Sequence, residues 1–280
     1  MRRNTLISLL IPVLAGFPLH AKAAITLGTA GDFAVLAGST VTNTGLSVID
    51  GGDVGVSPGF AITGFPPGIV VPPFTLHAGD PVALNAQVAL LNAYNAARGL
   101  PPTQVLTGQD LGGLILGAGI YFFSSSAQLT GPLTLDAQGD PNAEFVFQIG
   151  STLTTASNSS VTTINGGGSI PGCNVFWQVG SSATLGTGSA FQGHILAAES
   201  ITLNNGATIL GGSALASNGA VTLDTNTITN CVIPEPAAPT FALIGGALLG
   251  LRRRGGATRS PGGCLDVDLL PPGEEAVRLS

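Results

Sequence analysis

The pair Thr-Leu returns along this chain at Thr134, Thr152, Thr184, Thr202 and Thr222, each time followed by small polar residues: TLDAQGD, TLTTASN, TLGTGSA, TLNNGAT and TLDTNTI. The steps are 18, 32, 18 and 20 residues. The long step holds INGGGSIPGC (164–173), whose glycine, serine and proline read as an inserted loop. A period near 20 residues belongs to a solenoid, whose units bury their apolar sides only by stacking. Units this short and this rich in Gly, Thr and Asn do not form helix pairs, and their β-branched alternation reads as strand. Leu153, Leu185, Leu203 and Leu223 then point inward, and Thr152, Thr184, Thr202 and Thr222 point outward. The expected fold is mostly β, a parallel β-helix of about five or six coils with its threonines stacked 4.7–4.9 Å apart.

One segment departs from this pattern. DPVALNAQVALLNAYNAARGLPP, starting at Asp80, reads as a long helix. Asp80 suits the N-cap, Pro81 the first turn, and Gly99 the end before Pro101. Val82, Val88, Leu91 and Ala96 suggest the buried stripe, with Leu84 and Tyr94 at its edges. About eighteen residues span roughly 27 Å, enough to lie alongside the stacked coils.

Charge narrows the function. Between Ala24 and Val232 there are ten Asp and Glu, no Lys, and one Arg, Arg98. A nucleic-acid reader needs a basic patch that these residues cannot supply. His77 and His194 stand apart in sequence and read as loop or solvent residues, not metal ligands, and no cofactor is expected. Asp136, Asp140 and Glu144 are the nearest thing to a carboxylate cluster, but Asp-Ala-Gln-Gly-Asp-Pro reads as turn chemistry. No enzyme is expected.

After each Thr-Leu the outward candidates are Thr155 and Ser157, Thr187 and Ser189, Asn205 and Ala207, and Thr225 and Thr227. Asn158 and Thr208 join them if the strand bends. The result is a flat grid of methyls and small polar groups, stiff at χ1 wherever a β-branched side chain stands. It offers no base and no activated nucleophile. Methyls that cage water beside hydroxyls that pin it form a surface suited to ordering water.

Blocks such as AGDFAVLAGSTVTNTG (30–45), LGAGIYFFSSSAQLTGPLTLDAQGDPNAEFVFQIGSTLTTASNSSV (116–161), NVFWQVGSSATLGTG (174–188) and ITLNNGATILGGSALASNGAVTLDTNTIT (201–229) resemble the ice-binding proteins of cold-adapted bacteria, fungi and diatoms. The resemblance runs from about Ile25 to Asn230. It implies a right-handed, discontinuous β-solenoid of triangular section with one long helix alongside. It also implies an ice face written T-[A/G]-x-[T/N]. Thr155-Ala156-Ser157-Asn158 matches this motif in full. Thr187-Gly188-Ser189-Ala190 fails at its last position, Asn205-Gly206-Ala207-Thr208 at its first, and Thr225-Asn226-Thr227-Ile228 at two. The candidate ice-binding set is therefore Thr152, Thr155, Ser157, Asn158, Thr184, Thr187, Ser189, Thr202, Asn205, Ala207, Thr208, Thr225 and Thr227, in a monomer whose partner is an ice surface.

The ends suggest export. Residues 1–23 carry two arginines, an apolar run from Leu6 to Leu19 and small residues at Ala21 and Ala23, the pattern of a secretory signal. The domain is expected over 24–232. Over 233–254, Ile233-Pro234-Glu235-Pro236, an apolar stretch and Arg252-Arg253-Arg254 resemble the Pro-Glu-Pro sorting signal that an exosortase peptidase processes in Gram-negative bacteria exporting polysaccharide. That implies a transient inner-membrane tether, release at the outer surface, and exopolysaccharide as a second partner. Residues 255–280 read as a disordered tail. Export would allow Cys173 and Cys231 to pair, with two free thiols as the alternative.

Overall fold

A computed structural model describes residues 25–167 and 171–231. The expected secretory signal (1–23), sorting signal (233–254) and tail (255–280) lie outside the described residues. The described chain is a β-solenoid of three parallel sheets with a single long helix, α1 (Pro81–Gly99).

Every complete coil contributes one strand to each sheet. Along the axis the coils run in an order that the sequence does not follow. Coil I is Gly119–Phe123, Ala127–Leu129 and Pro132–Asp136; coil II is Phe145–Ile149, Leu153–Thr155 and Ser160–Ile164. Coil III is Val175–Val179, Ala183–Leu185 and Ala190–Gln192; coil IV is His194–Ala197, Ile201–Leu203 and Thr208–Leu210; coil V is Ala214–Ala216, Val221–Asp224 and Thr227–Thr229. On top of coil V sits the N-terminal part of the domain: coil VI (Phe33–Ala37, Thr40–Thr44, Val48–Asp50) and coil VII (Asp53–Val56, Ala61–Thr63, Ile69–Val70). Shorter strands extend the ends. There are thus seven complete coils rather than the five or six expected. Coils VI and VII, which precede the helix, carry no Thr-Leu signature and escaped that alignment.

The helix joins the two ends. Seven coils make six steps, about 29 Å, and nineteen helical residues span about 28 Å. Asp80 caps its start, its carboxylate accepting from the Ala83 amide at 2.9 Å and meeting His77 Nδ1 at 2.7 Å. Gln148 holds its end, its Nε2 donating to the carbonyls of Ala97 and Leu100 at 2.8 Å each. Those carbonyls have no partner within the helix, so a glutamine from the sheet performs the cap.

The helix presents a different face from the one expected. Ala83, Ala86, Leu90, Ala93, Tyr94 and Ala97 are buried, while Val82, Leu84, Val88 and Leu91 are exposed. The sheet beneath already supplies bulk from Phe33, Leu36, Val146, Phe176, Leu196 and Leu215. Close packing there leaves room mainly for alanine, so the larger aliphatics turn outward.

Inside the solenoid an aromatic stack runs along the axis. Phe147 lies on Trp177 at 3.9 Å between ring centres, Tyr121 follows at 5.3 Å, and Phe191 closes at 4.9 Å. Cys173 and Cys231 form a disulfide, tying the inserted loop to the last described residue across 58 positions. His194 is buried in coil IV rather than in a loop, stacked on Phe176 and bonded to Ser213 Oγ at 2.8 Å. Burial holds its pKa down at about 4, against the opposing effect of a hydrogen bond that its ring donates to the Cys173 backbone.

Candidate ice-binding face

Three faces make the triangular section. The helix covers the first. The second carries a central row of outward residues, in register from coil to coil: Gln128, Thr154, Thr184, Thr202, Thr222, Thr42 and Thr63. Six of the seven rungs are threonine. Thr42 and Thr222 touch across 180 residues of sequence, their hydroxyls 3.4 Å apart. This pair marks the seam where the N-terminal coils meet the C-terminal one. Parallel pairing sets neighbouring rungs about 4.8 Å apart.

Two residues earlier, at or just before the start of each strand, lies a second row: Ser126, Thr152, Ser182, Ser200, Ala220, Thr40 and Ala61. Its hydroxyls lock to their neighbours. Thr152 Oγ1 donates to Ser126 Oγ at 2.9 Å, and Ser200 Oγ accepts from the Ala220 amide at 3.2 Å. The rows stand about 6.6 Å apart.

Register separates the candidates. Thr184, Thr202 and Thr222 form one row as expected, but Thr152 is two residues out of step and belongs to the second row. The threonine that completes the main row is Thr154. Thr134 belongs to neither, pairing with Thr162 on the third face. Because a side chain keeps its face over a two-residue shift, Thr152 stays outward; Thr155 then falls at the inward position that ends the strand, opposite Leu129.

At that corner the chain turns from the second face to the third, and three expected face residues point inward. Thr155, Ser189 and Ala207 are buried. Thr155 occupies the position of Leu185 and Leu203, and its hydroxyl accepts from the Gly186 amide at 2.9 Å. Ser189 and Ala207 stack with Ser159, Asn226 and Ser47 along the inside of the corner. Asn226 pins two turns at once, its Nδ2 donating to the carbonyls of Asn204 and Ala207 at 2.9 Å. Ser157, Asn158, Thr187, Asn205 and Thr225 form the exposed ridge of the corner. Thr208 and Thr227 lie beyond it, in register with each other on the third face.

The turn itself explains the register. Asn158, Gly188, Gly206, Thr225 and Gly45 all have positive φ, between 54° and 76°. That is the left-handed conformation in which Gly and Asn are least strained. Backbone bonds stack these turns: Asn158 N donates to Thr187 O at 2.9 Å, Gly188 N to Asn205 O at 3.0 Å, and Gly206 N to Asp224 O at 3.1 Å. Aligning Asn158, Gly188 and Gly206 instead of the Thr-Leu pairs yields the observed register. That alignment brings Thr154 into the row, while Thr42 and Thr63 lie in coils that it does not reach.

The carboxylates once considered as a cluster do separate jobs. Asp136 accepts from the Gln138 amide and from Asn165 Nδ2, and these hydrogen bonds, the Asn165 one foremost, lower its pKa. Asp140 accepts from the Asn142 amide at 2.8 Å, and Glu144 is buried, accepting from the Ile25 amide at 3.0 Å.

Residues 35–229 match the family described as Ice-binding-like. The chain belongs to this family. A member called Ice-binding protein from Nostoc sp. strain HG1 is 55% identical over 262 residues, covering 90% of this chain and 94% of that protein. An Ice-binding protein from Colwellia sp is 33% identical over 249 residues, covering 80% of this chain and 95% of the relative. The crystal structure of an ice-binding protein from the Antarctic ascomycete Antarctomyces psychrotrophicus superposes with a TM-score of 0.69 at 42% identity, over 74% of this chain and 98% of that one. The fold is therefore shared with a solved ice-binding protein, and the threonine row lies within the matched residues.

Proposed function

We propose that this chain adsorbs to ice through its second face and so restrains crystal growth and recrystallisation. The observation that carries the reading is the row of six in-register threonines flanked by a second row of small hydroxyl residues and alanine. Each threonine offers a methyl, which water can only surround, and a hydroxyl, which fixes water in place. The parallel coils repeat that pair at one spacing, and β-branching limits its motion. The names of the family members support the same assignment. Within this face the residues we assign to ice are Thr154, Thr184, Thr202, Thr222, Thr42 and Thr63, with Thr152 beside them and Thr187 and Asn205 on the ridge.

The deciding experiment uses residues 24–232. A single ice crystal grows in the protein solution on a cold stage, and recrystallisation is followed in parallel. Faceted growth and arrested coarsening are expected. Round crystals and ordinary coarsening from a folded sample overturn the assignment.

Export to the cell surface fits this role, since ice forms outside cells. The patterns in 1–23 and 233–254 support it, with an exosortase-type peptidase as processing partner. Those same C-terminal residues favour a second reading, a matrix component that binds exopolysaccharide. Saturable binding to polysaccharide that survives loss of the threonine row would favour it.

A further inference from the structure

The outer face of α1 carries more apolar bulk than its buried face accounts for. Val82, Leu84, Val88 and Leu91 are 48%, 52%, 57% and 53% exposed. Leu84, Val88, Leu91 and Asn95 follow a 4-3-4 spacing on one side of the helix, opposite the alanines that meet the sheet. This spacing matches the core positions of a two-helix coiled coil: a β-branched residue at one position, leucine at the other, and an asparagine of the kind that fixes register.

We propose that a second copy of this chain docks on this stripe, with the two α1 helices antiparallel about a two-fold axis. Self-pairing requires a surface complementary to itself. In the antiparallel register Val88 faces Leu91 of the other copy and Leu84 faces Asn95, each contact occurring twice. The ends agree in charge. Asp80, whose side chain is 37% exposed, lies at the start of the helix, and Arg98, the domain's sole cation, lies in its last turn. Antiparallel pairing brings each Arg98 beside the other copy's Asp80. Between them the stripe is bordered by the neutral Asn85, Gln87 and Asn92, so no charge opposes the pairing. A membrane is a poor alternative occupant, because an interfacial helix needs a basic polar face.

The size of the stripe sets the strength. About 28 Å of length and 10 Å of helix width present about 300 Å², against about 800 Å² per partner in a standard interface. The dimer is therefore weak and concentration-dependent. It leaves the threonine rows of both copies uncovered, since they lie on another face of the prism.

Sedimentation velocity of the full chain over a rising concentration series tests this. The wild type should move from monomer to dimer. A double variant, Val88→Glu with Leu91→Glu, should stay monomeric with an unchanged melting midpoint, since both side chains are already exposed. A wild type monomeric at every concentration, or a double variant that associates like wild type, overturns the proposal. Leu84→Lys and Asn95→Glu then test orientation. Each alone should weaken association, and a 1:1 mixture should restore it, because only antiparallel helices bring these two positions together. A mixture no stronger than its components overturns the antiparallel arrangement.

Discussion

Thr202 stands at the fourth of seven rungs, which makes it the most informative position on the face. Thr202→Tyr would raise a ring from the centre of an otherwise level row. The intact row is six spacings long, about 29 Å. A ring at its middle leaves three rungs on either side, about 10 Å of continuous contact at best. If adsorption scales with the length that lies flat on ice, thermal hysteresis should fall by about two thirds or more. Thr63→Tyr, at the end of the row, leaves six rungs and about 24 Å, so its loss should be about one sixth. Thr162→Tyr, outward on the third face, should cost nothing. All three positions tolerate tyrosine in an exposed strand, and stability should stay within about 0.5 kcal/mol of wild type. Hysteresis is read on single crystals, and folding by thermal melts of the same samples. Equal losses at Thr202 and Thr162, or none at Thr202, would refute the assignment of this face.

His194 predicts a pH dependence with a definite sign. Its folded pKa of about 4 lies below the unfolded value of 6.5, so the unfolded chain binds the proton first. Stability should be complete above pH 6.5 and fall as pH drops towards 4, by about 3 kcal/mol in all. Denaturant titrations should show that slope, and His194→Gln should flatten it. Replacing Cys173 and Cys231 with serine releases a 58-residue loop and should cost about 4 kcal/mol of stability by chain entropy, read from the denaturation midpoint. Asn226→Ala frees two carbonyls at the corner and should cost about 1–3 kcal/mol, measured the same way.

The solenoid was legible because its period is written in the residues that stack. Leu185, Leu203 and Leu223 repeat at matched places, and Thr184, Thr202 and Thr222 precede them. The helix was legible from Asp80, Pro81 and Gly99, since its ends are fixed by local chemistry. Its orientation was not. A helix that covers a bulky sheet hides alanine, and hydrophobicity alone selects the larger Val82, Val88 and Leu91. The face was half legible for a related reason. A Thr-Leu pair fixes which side a residue takes, but not which neighbour it meets. The corner fixes the neighbour, through Asn158, Gly188 and Gly206. Thr155 then falls among leucines, where its hydroxyl serves a backbone amide instead of the surface. Coils VI and VII were unreadable as part of the same stack, because nothing local to TVTNT or AIT announces that they pair with the far end of the chain.

That distant pairing governs how the molecule can be made. A ribosome delivers coils VI and VII first, then the helix, then coils I to V, and only the last of these completes the column. Until Thr222 reaches Thr42, the nascent chain holds two partial rows, Thr42–Thr63 and whatever part of Thr154–Thr222 has emerged. An ordinary solenoid could grow unit by unit from its first repeat; this one must hold an open end until synthesis is nearly over. Folding should therefore be slow and all-or-none, as expected when decisive contacts span most of the sequence. A chain cut short before coil V would lack both the seam and the level face, so the surface exists only in molecules that have been finished.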